Sequence, residues 1–386
     1  MSNKKVLLGM SGGVDSSVSA LILKEKGYDV IGVTLELFEN DSSSNTYLDA
    51  ENVCKSIGIP HIICNQKEQF KCKVIDNFIE EYSNQRTPNP CIECNKYMKF
   101  GAMYEKAKEL ECDYIATGHY AKIEYSEKYK RYVLKKANNI SKDQSYVLYS
   151  IPKELLEKII FPLGDFESKE DIREIARKNN LKVANKPDSE DICFIPDGNY
   201  KKFLENNSGL KPKKGNIVNS KGEILGKHNG LYNYTIGQRK GLGISYSEPL
   251  FVIGFNNEKN ELIVGTQEET FSKGMFVNNI NLLLIDELKE PMKVKVKTRY
   301  SSREENATIE MVEKDLIKVT FEKPVQRITP GQSAVFYIDD IVLGGGKILW
   351  HLGQSWFVLY FLSIFSILCY NYFSNFILTL GGSGFR

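Results

Sequence analysis

The sequence predicts an α/β protein whose first part is a parallel sheet covered by helices, followed by a small central β-rich module and a C-terminal β-barrel. Three observations carry this. Apolar strand-like runs alternate with helical patterns through the first 200 residues; a Gly/Ser-rich loop joins the first strand to the first helix; and the texture changes near residue 201 to short β segments separated by turns. A chain of 386 residues exceeds what one core usually holds. The expected divisions are 1–200, 201–270 and 271–347, with an atypical apolar tail over 348–386.

The elements follow in order. Lys5-Val6-Leu7-Leu8 is an apolar run that reads as the first strand, and 18–26 reads as the helix after it. Residues 29–35 form a second strand, 47–57 a helix and 61–64 a third strand. Segments 66–82 and 96–110 are helical in pattern, and 113–117 is a buried strand running into Gly118 and His119. In open sheets of this kind ligands collect at the carboxyl ends of the strands, where the loop at Gly9, Leu35 and Gly118 converge. Leu35 is a candidate wall for an adenine ring. Beyond residue 201 helical patterning is expected to stop; turn signals stand at 219–222 and 256–260, and barrel strands are expected around 292–297, 307–312, 316–321 and 333–338.

The loop itself reads Gly9, Met10, Ser11, Gly12, Gly13, Val14, Asp15, Ser16, Ser17. Glycines at 9, 12 and 13 allow positive φ and close approach of an anion, while Ser11, Ser16 and Ser17 add hydroxyls beside the unpaired N–H groups of a first helical turn. A pyrophosphate suits this cradle. No Lys follows the glycine pair, so it is not the Gly-x-x-x-x-Gly-Lys loop that handles a terminal phosphate.

Net charge is only +2 with 26% charged residues, so any nucleic-acid contact must come from local patches rather than a global basic field. The 8 cysteines are scattered, and the N-terminal residues run into the first strand without an apolar leader. A reducing, cytoplasmic setting without structural disulfides is the expectation. Cys54, Cys64, Cys72 and Cys112 sit inside predicted elements as core fillers. Cys91, Cys94 and Cys193 stand among polar or turn-forming residues, where partial exposure and thiolate chemistry are expected.

Several strings in one order then resemble a known family: the 9–17 loop, Asn89-Pro90 followed by Cys94-Asn95-Lys96, Ala116 to His119, Lys142 to Ser145, Asp188 to Phe194, Gly237 to Gly241, Arg299-Tyr300 and Thr329 to Gln332. They resemble the bacterial tRNA-specific 2-thiouridylases, of the PP-loop ATP pyrophosphatase superfamily, from near the start to about Lys347. The resemblance implies ATP-dependent adenylation of the C2 oxygen of the wobble uridine (position 34) of tRNA, followed by sulfur transfer from a cysteine persulfide. The products are 2-thiouridine, AMP and pyrophosphate. It implies that residues Gly9 to Ser16 hold the phosphates, Asp15 organises Mg2+, and Leu35 and Gly118 contact the nucleoside. By the same resemblance Cys94 is the nucleophile, Cys193 carries the persulfide, and the two form a transient disulfide. Asn89, Pro90 and Cys91 line the target base; His119, Lys142, Asp143, Gln144, Arg299, Tyr300 and Gln332 contact tRNA. Such types suit RNA: cations for phosphates, rings for stacking, amides for base edges. Implied partners are tRNAs for Lys, Glu and Gln, and a persulfide donor such as a cysteine desulfurase or a sulfur-relay protein, with no membrane partner for the core.

Many relatives carry Asp where this chain has Cys91. Cys91, Cys94 and Cys193 are therefore candidate ligands of a [4Fe-4S] cluster or of half a zinc site, against a spare thiol at 91. Lys96 and the nucleotide site are candidates for thiol activation. Rival readings are another PP-loop ligase, which would not need the cysteine pair, and a non-catalytic tRNA-binding protein that keeps the fold as scaffold. The tail contains a nearly uncharged stretch over 356–380 that is either a membrane anchor or an appended translated extension. It is expected to be dispensable, with the barrel closing by Leu343.

Overall fold

The computed structural model describes residues 3–39, 43–187 and 192–352. The first strand, β1 (Lys5–Gly9), buries Val6, Leu7 and Leu8 completely, as a strand covered on both faces must. It leads into α1 (Val14–Glu25), β2 (Asp29–Glu36), α2 (Ser43–Ile57) and β3 (His61–Asn65). A long helical stretch follows: α3 (Lys67–Phe70), a π-helical turn Lys71–Ile75, and α4 (Asp76–Ser83). A second stretch runs from α5 (Pro90–Cys94) through π-helical Asn95–Ala102 into α6 (Met103–Glu109). Next come β4 (Tyr114–Ala116), the hairpin β5 (Ala121–Ser126) and β6 (Arg131–Lys136), α7 (Ser145–Leu148), β7 (Ile159–Ile160) and α8 (Lys169–Lys178).

Strands β3-β2-β1-β4-β7 form one parallel sheet in that order. The order reverses between β1 and β4, the switch point where an open sheet leaves a crevice for a ligand. Helical patterning does not stop at residue 201 as the sequence suggested. A helix, α9 (Tyr200–Ser208), is capped by the Asn199 side chain accepting from Lys202 N–H at 3.1 Å. Its Leu204 is buried with Phe70, Phe78 and Phe194, so packing draws it onto the first domain's core.

The central module is the four-stranded sheet β10-β11-β8-β9, built from β8 (Lys214–Asn219), β9 (Ile224–Asn229), β10 (Phe251–Asn256) and β11 (Glu261–Gly265). The barrel comprises β12 (Phe271–Leu282), β13 (Met292–Lys297), β14 (Glu305–Glu313), β15 (Leu316–Gln326), β16 (Ser333–Ile338) and β17 (Ile341–Leu352). Pairing of β12 with both β15 and β17 closes it and removes its free edges. The β5–β6 hairpin of the first domain joins this sheet through Ile341 and Lys135, so the two domains share a hydrogen-bonded layer. Barrel pairing continues past Leu343 to Leu352: Phe276 pairs with Trp350, their rings 5.5 Å apart. The barrel therefore runs into what the sequence reading assigned to the tail. The apolar stretch 356–380 lies outside the described residues, and among those described no helix is long and apolar enough to cross a membrane.

Candidate active site

The Gly9 loop leaves the end of β1 and turns into α1, whose N-terminus carries Asp15 in its first turn. Only Gly12 takes positive φ, at 66°; Gly13 is the extended N-cap, so the turn needs fewer left-handed glycines than expected. Ser16 Oγ accepts from Ser11 N–H at 3.3 Å, and the Ser17 hydroxyl donates to the Gly13 carbonyl at 2.7 Å. Thr34 of β2 donates to the Met10 carbonyl at 2.8 Å and fixes the loop to the sheet.

Two lysines from distant segments reach this cradle. Lys169 Nζ stands 2.6 Å from both Asp15 oxygens, and Tyr120 donates its hydroxyl to Asp15 Oδ1 at 2.7 Å. Lys186 Nζ donates to the Gly12 carbonyl at 3.2 Å and pairs with Asp49 at 2.8 Å. The helix N-terminus suits an anion, and the two lysines stand beside it, each paired with a carboxylate. Leu35, at the end of β2, packs at the margins of the core clusters on both sides of it. Gly118 lies so close to α1 that an added Cβ would sit 3.0 Å from Ser16 N, which leaves room for no side chain.

The same loop reaches Lys99. His119 is 7% exposed, its Nδ1 2.7 Å from Thr117 Oγ1 and its Nε2 3.4 Å from Lys99 Nζ. Burial, with the Lys99 charge adding, holds its imidazole well below the usual range and therefore neutral. Its ring lies near Phe100 and Phe161 rather than on an open face, so it is no free platform for stacking RNA.

Asn89 caps α5, its side chain accepting from Cys91 N–H at 3.2 Å with Pro90 in the first turn. Cys91 is exposed, whereas Cys94 is only 8% exposed, against the expected accessibility of both. One helical turn separates them, and the face carrying Cys94 packs into the aromatic core. Burial raises the Cys94 thiol, opposed by Lys99. Cys193 is tied nearby through Phe194, whose ring stands 5.7, 5.4 and 5.3 Å from Phe70, Phe78 and Phe203 in the cluster that also holds Cys94. Burial pushes the Cys193 thiol up to about 12, with the Cys94 and Cys91 sulfurs adding and Lys99 opposing. The residue is nonetheless exposed. Of the preceding motif, 188–191 lies outside the described residues.

The remaining candidates divide. Tyr300 is 42% exposed and close enough to Cys91 for their charges to interact, with Lys297 Nζ 5.8 Å from its ring. Lys142 is partly exposed. By contrast Asp143 is 7% exposed and accepts from Ala137 N–H at 3.0 Å and Ser145 Oγ at 2.7 Å; burial raises its carboxyl. Gln144 Oε1 accepts from Tyr120 N–H at 2.9 Å. Arg299 donates to the Ile236 and Arg327 carbonyls, each at 3.0 Å, and to Thr329 Oγ1, so it clips the central module to the barrel. Gln332 donates to the Thr87 carbonyl at 2.7 Å, and Thr87 N–H donates to the Pro330 carbonyl at 2.9 Å. The barrel thus holds the segment that leads into Asn89 and Cys91.

Sequence reasoning missed Lys99, Lys169, Lys186 and Lys297, whose partners are distant in sequence. It nominated Lys96 for the thiols, but Lys96 is exposed with Nζ 5.1 Å from the Tyr97 ring. Cys54 does fill the core, whereas Cys72 is exposed and Cys64 and Cys112 are only partly covered.

Among the described residues no three or more His, Cys, Asp or Glu side chains gather in metal-ligating geometry. Of the three candidate ligands, Cys94 is buried while Cys91 and Cys193 are exposed. The Gly9 cradle fits ATP with Mg2+, as a PP-loop implies.

Three family profiles match consecutive stretches: tRNA methyl transferase HUP domain over residues 4–197, tRNA methyl transferase PRC-barrel domain over 201–266 and aminomethyltransferase beta-barrel domain over 272–348. The tRNA-specific 2-thiouridylase MnmA of Clostridioides difficile (strain 630) is 49% identical over 355 residues, covering 90% of this chain and 98% of that protein. The MnmA of Acetivibrio thermocellus is 47% identical over 360 residues, covering 90% and 100%. Among solved structures, the U34-tRNA thiolase NcsA from Methanococcus maripaludis with its [4Fe-4S] cluster aligns at a TM-score of 0.34 and 22% identity over 54% of this chain and 68% of that one, too weak a likeness to bear on chemistry. With near-half identity across almost the full length of such relatives, and a sheet, module and barrel in the matched order, the chain belongs to the tRNA-specific 2-thiouridylase family.

Proposed function

We propose that this chain converts the C2 carbonyl of the wobble uridine of tRNA to a thiocarbonyl at the expense of ATP. The observation that carries the reading is the 117–119 loop: Gly118 packs against Asp15 and Ser16 of the nucleotide cradle, and His119 contacts Lys99, which acts on Cys94 and Cys193. Nucleotide and sulfur chemistry thereby share one wall.

In this reading the C2 oxygen attacks the α-phosphorus of ATP and pyrophosphate leaves into the cradle formed by Ser11, Gly12, Gly13 and the α1 N-terminus. Mg2+, near Asp15, would neutralise charge on the departing pyrophosphate. Adenylation turns a poor leaving group into a good one. The terminal sulfur of a Cys193 persulfide adds to C2, and AMP departs with the former carbonyl oxygen. Cys94 thiolate then attacks the Cys193 sulfur; the S–S bond breaks toward the base, leaving C2=S and a Cys94–Cys193 disulfide. A thiol reductant supplies the two electrons that reopen it. Tyr300, Lys297 and Lys142 are the accessible aromatic and cationic groups suited to the anticodon, while His119, Asp143, Gln144, Arg299 and Gln332 shape the site from within. Leu35 bounds the adenine. tRNAs for Lys, Glu and Gln, a cysteine desulfurase or sulfur-relay donor, and a cytoplasmic setting belong to the same reading. No step passes through a cluster at Cys91, Cys94 and Cys193.

The test is a reconstituted reaction with ATP, Mg2+, a persulfide donor and unmodified tRNA, followed by nucleoside mass spectrometry. The expected products are 2-thiouridine, AMP and pyrophosphate; ADP and phosphate would overturn the reading. Cys193→Ser should still release pyrophosphate while forming no 2-thiouridine.

A further inference from the structure

We propose that Lys347 of the barrel is a positioning residue for the sulfur-transfer half-reaction: its ammonium, shared between Glu81 and Glu93, holds α5, and with it Cys94, at a fixed place relative to the barrel. The inference rests on the reading above, which gives Cys94 the closing attack, and it assigns that site a residue outside the Cys94 motif and on another domain.

In that reading the target base is bounded from two domains. Tyr300 follows β13 of the barrel, whereas Cys94 ends α5 of the first domain. A reacting group displaced by about 1 Å loses on the order of 100-fold in rate, so the span between the two domains has to be set. Backbone contacts do part of this. Thr87 N–H donates to the Pro330 carbonyl at 2.9 Å, and Gln332 donates to the Thr87 carbonyl at 2.7 Å. Gly331, at φ 88°, lets the two segments close, since a Cβ there would lie 2.7 Å from Thr87 N. These contacts fasten the approach to α5 rather than the helix itself.

Lys347 carries the attachment onto the helix. It sits on β17, opposite Ser333 of β16 and Asn278 of β12, so strands on both sides fix its backbone. Its Nζ stands 3.5 Å from Glu81 Oε1, near the end of α4, and 3.9 Å from Glu93 Oε1 in α5. Glu93 immediately precedes Cys94. Glu81 is buried and takes Nε and Nη2 of Arg86, each at 2.9 Å, which makes it a rigid anchor. Among the described residues Lys347 is the cation within ion-pair distance of Glu93. The side chains of Lys347, Glu81 and Glu93 are all largely buried, where salt screens a pair little. Two carboxylates and two cations thus balance across the domain boundary, and one ammonium passes the position of β17 to α5. Other holds on this turn come from within the first domain: the Ser150 hydroxyl donates to the Ile92 carbonyl at 3.4 Å, and the Asn95 amide donates to the Val147 carbonyl at 2.8 Å. Lys347 adds the one that refers α5 to the barrel.

The experiment compares wild type, Lys347→Met, Lys347→Arg, Glu93→Gln and the Lys347→Met/Glu93→Gln double variant in the full chain. With tRNA, ATP, Mg2+ and a persulfide donor, pyrophosphate release and single-turnover formation of 2-thiouridine are timed separately. Hydrogen–deuterium exchange is read on peptides covering 88–95 and on those covering α1. Lys347→Met should slow 2-thiouridine formation about tenfold or more while leaving pyrophosphate release within about twofold of wild type. Exchange should rise over 88–95 and stay unchanged over α1. Lys347→Arg, which keeps the cation, should retain most of the rate. Glu93→Gln should reproduce the loss, and the double variant should be no slower than either single one, because both changes remove the same pair. Unchanged exchange over 88–95 would overturn the proposal, as would additive losses in the double variant. Equal slowing of pyrophosphate release and thiolation would also overturn it, being the mark of a lysine that only supports the fold. Glu93→Gln changes no barrel residue and carries the test if Lys347→Met does not fold. Exchange reports on the protein alone, so a wild type that makes no 2-thiouridine while the 88–95 shift appears would sink the functional reading and leave the tether standing.

Discussion

Lys169 closes on Asp15 from 154 positions away in sequence, placing one ammonium 2.6 Å from both carboxylate oxygens at the mouth of the nucleotide loop. The pair holds a cation beside the helix N-terminus, and Tyr120 completes the carboxylate's hydrogen bonding. The family resemblance gives Asp15 to the phosphate loop and to Mg2+; its charge is balanced here by a side chain that can also face a phosphate.

Replacing Lys169 by Met should leave Asp15 uncompensated where a polyanion must bind. The dissociation constant for a non-hydrolysable ATP analogue should rise about tenfold or more, equivalent to at least ~1.4 kcal/mol. Calorimetric titration checks this, and unchanged affinity would make the pair structural only.

Arg299 and Tyr300 are adjacent, yet their substitutions should separate. Arg299→Ala removes hydrogen bonds to Ile236, Arg327 and Thr329 and should destabilise the protein by about 2–4 kcal/mol, since buried groups paired to a charge lose their partner. Tyr300→Ala, at an exposed ring, should leave the melting temperature nearly unchanged while weakening tRNA binding by about 1–3 kcal/mol, the scale of stacking on one base. Thermal melts and filter binding distinguish the two; tRNA affinity unchanged in Tyr300→Ala would remove it from the RNA surface.

Acid should destabilise the fold below pH 6.5. His119, His61 and His228 are each held below their ordinary value, chiefly by burial, so the folded state resists a proton that the unfolded chain accepts. Their contribution is present above the unfolded value and is lost as pH falls. Each fully neutral His adds a slope of up to about 1.4 kcal/mol per pH unit. Urea denaturation at pH 7 and pH 5 should show the loss, and His119→Gln should reduce its slope; a pH-independent midpoint would contradict this.

Truncation should depend on a few residues. Ending the chain at Lys347 removes fully buried Ile348 and the Trp350 that meets Phe276, and should cost several kcal/mol, about 2–5 for the isoleucine alone. Ending it after Leu352 retains all of β17 and should preserve both the melting temperature and thiolation. Equal stability of the two truncations would show that the end of β17 adds nothing to the barrel.

The sequence by itself determined the parts whose signal is local. Strand and helix periods marked the parallel sheet, the glycines and serines from Gly9 to Ser17 marked the anion cradle, and Cys94 and Cys193 stood in motifs that named the family. What it could not determine was which side chains meet. Arg299 and Gln332 read as RNA contacts, and the structure adds hydrogen bonds from both to protein groups far away in the chain; Cys94 read as accessible but lies in an aromatic core; α9 was hidden by a change of texture; and Lys99, Lys169 and Lys186 carried no motif. Periodicity and turn chemistry act over a few residues and survive in the sequence. Burial and charge pairing arise only when segments distant in the chain fold against one another, and at this site those two effects decide which thiol, which imidazole and which lysine are available for chemistry.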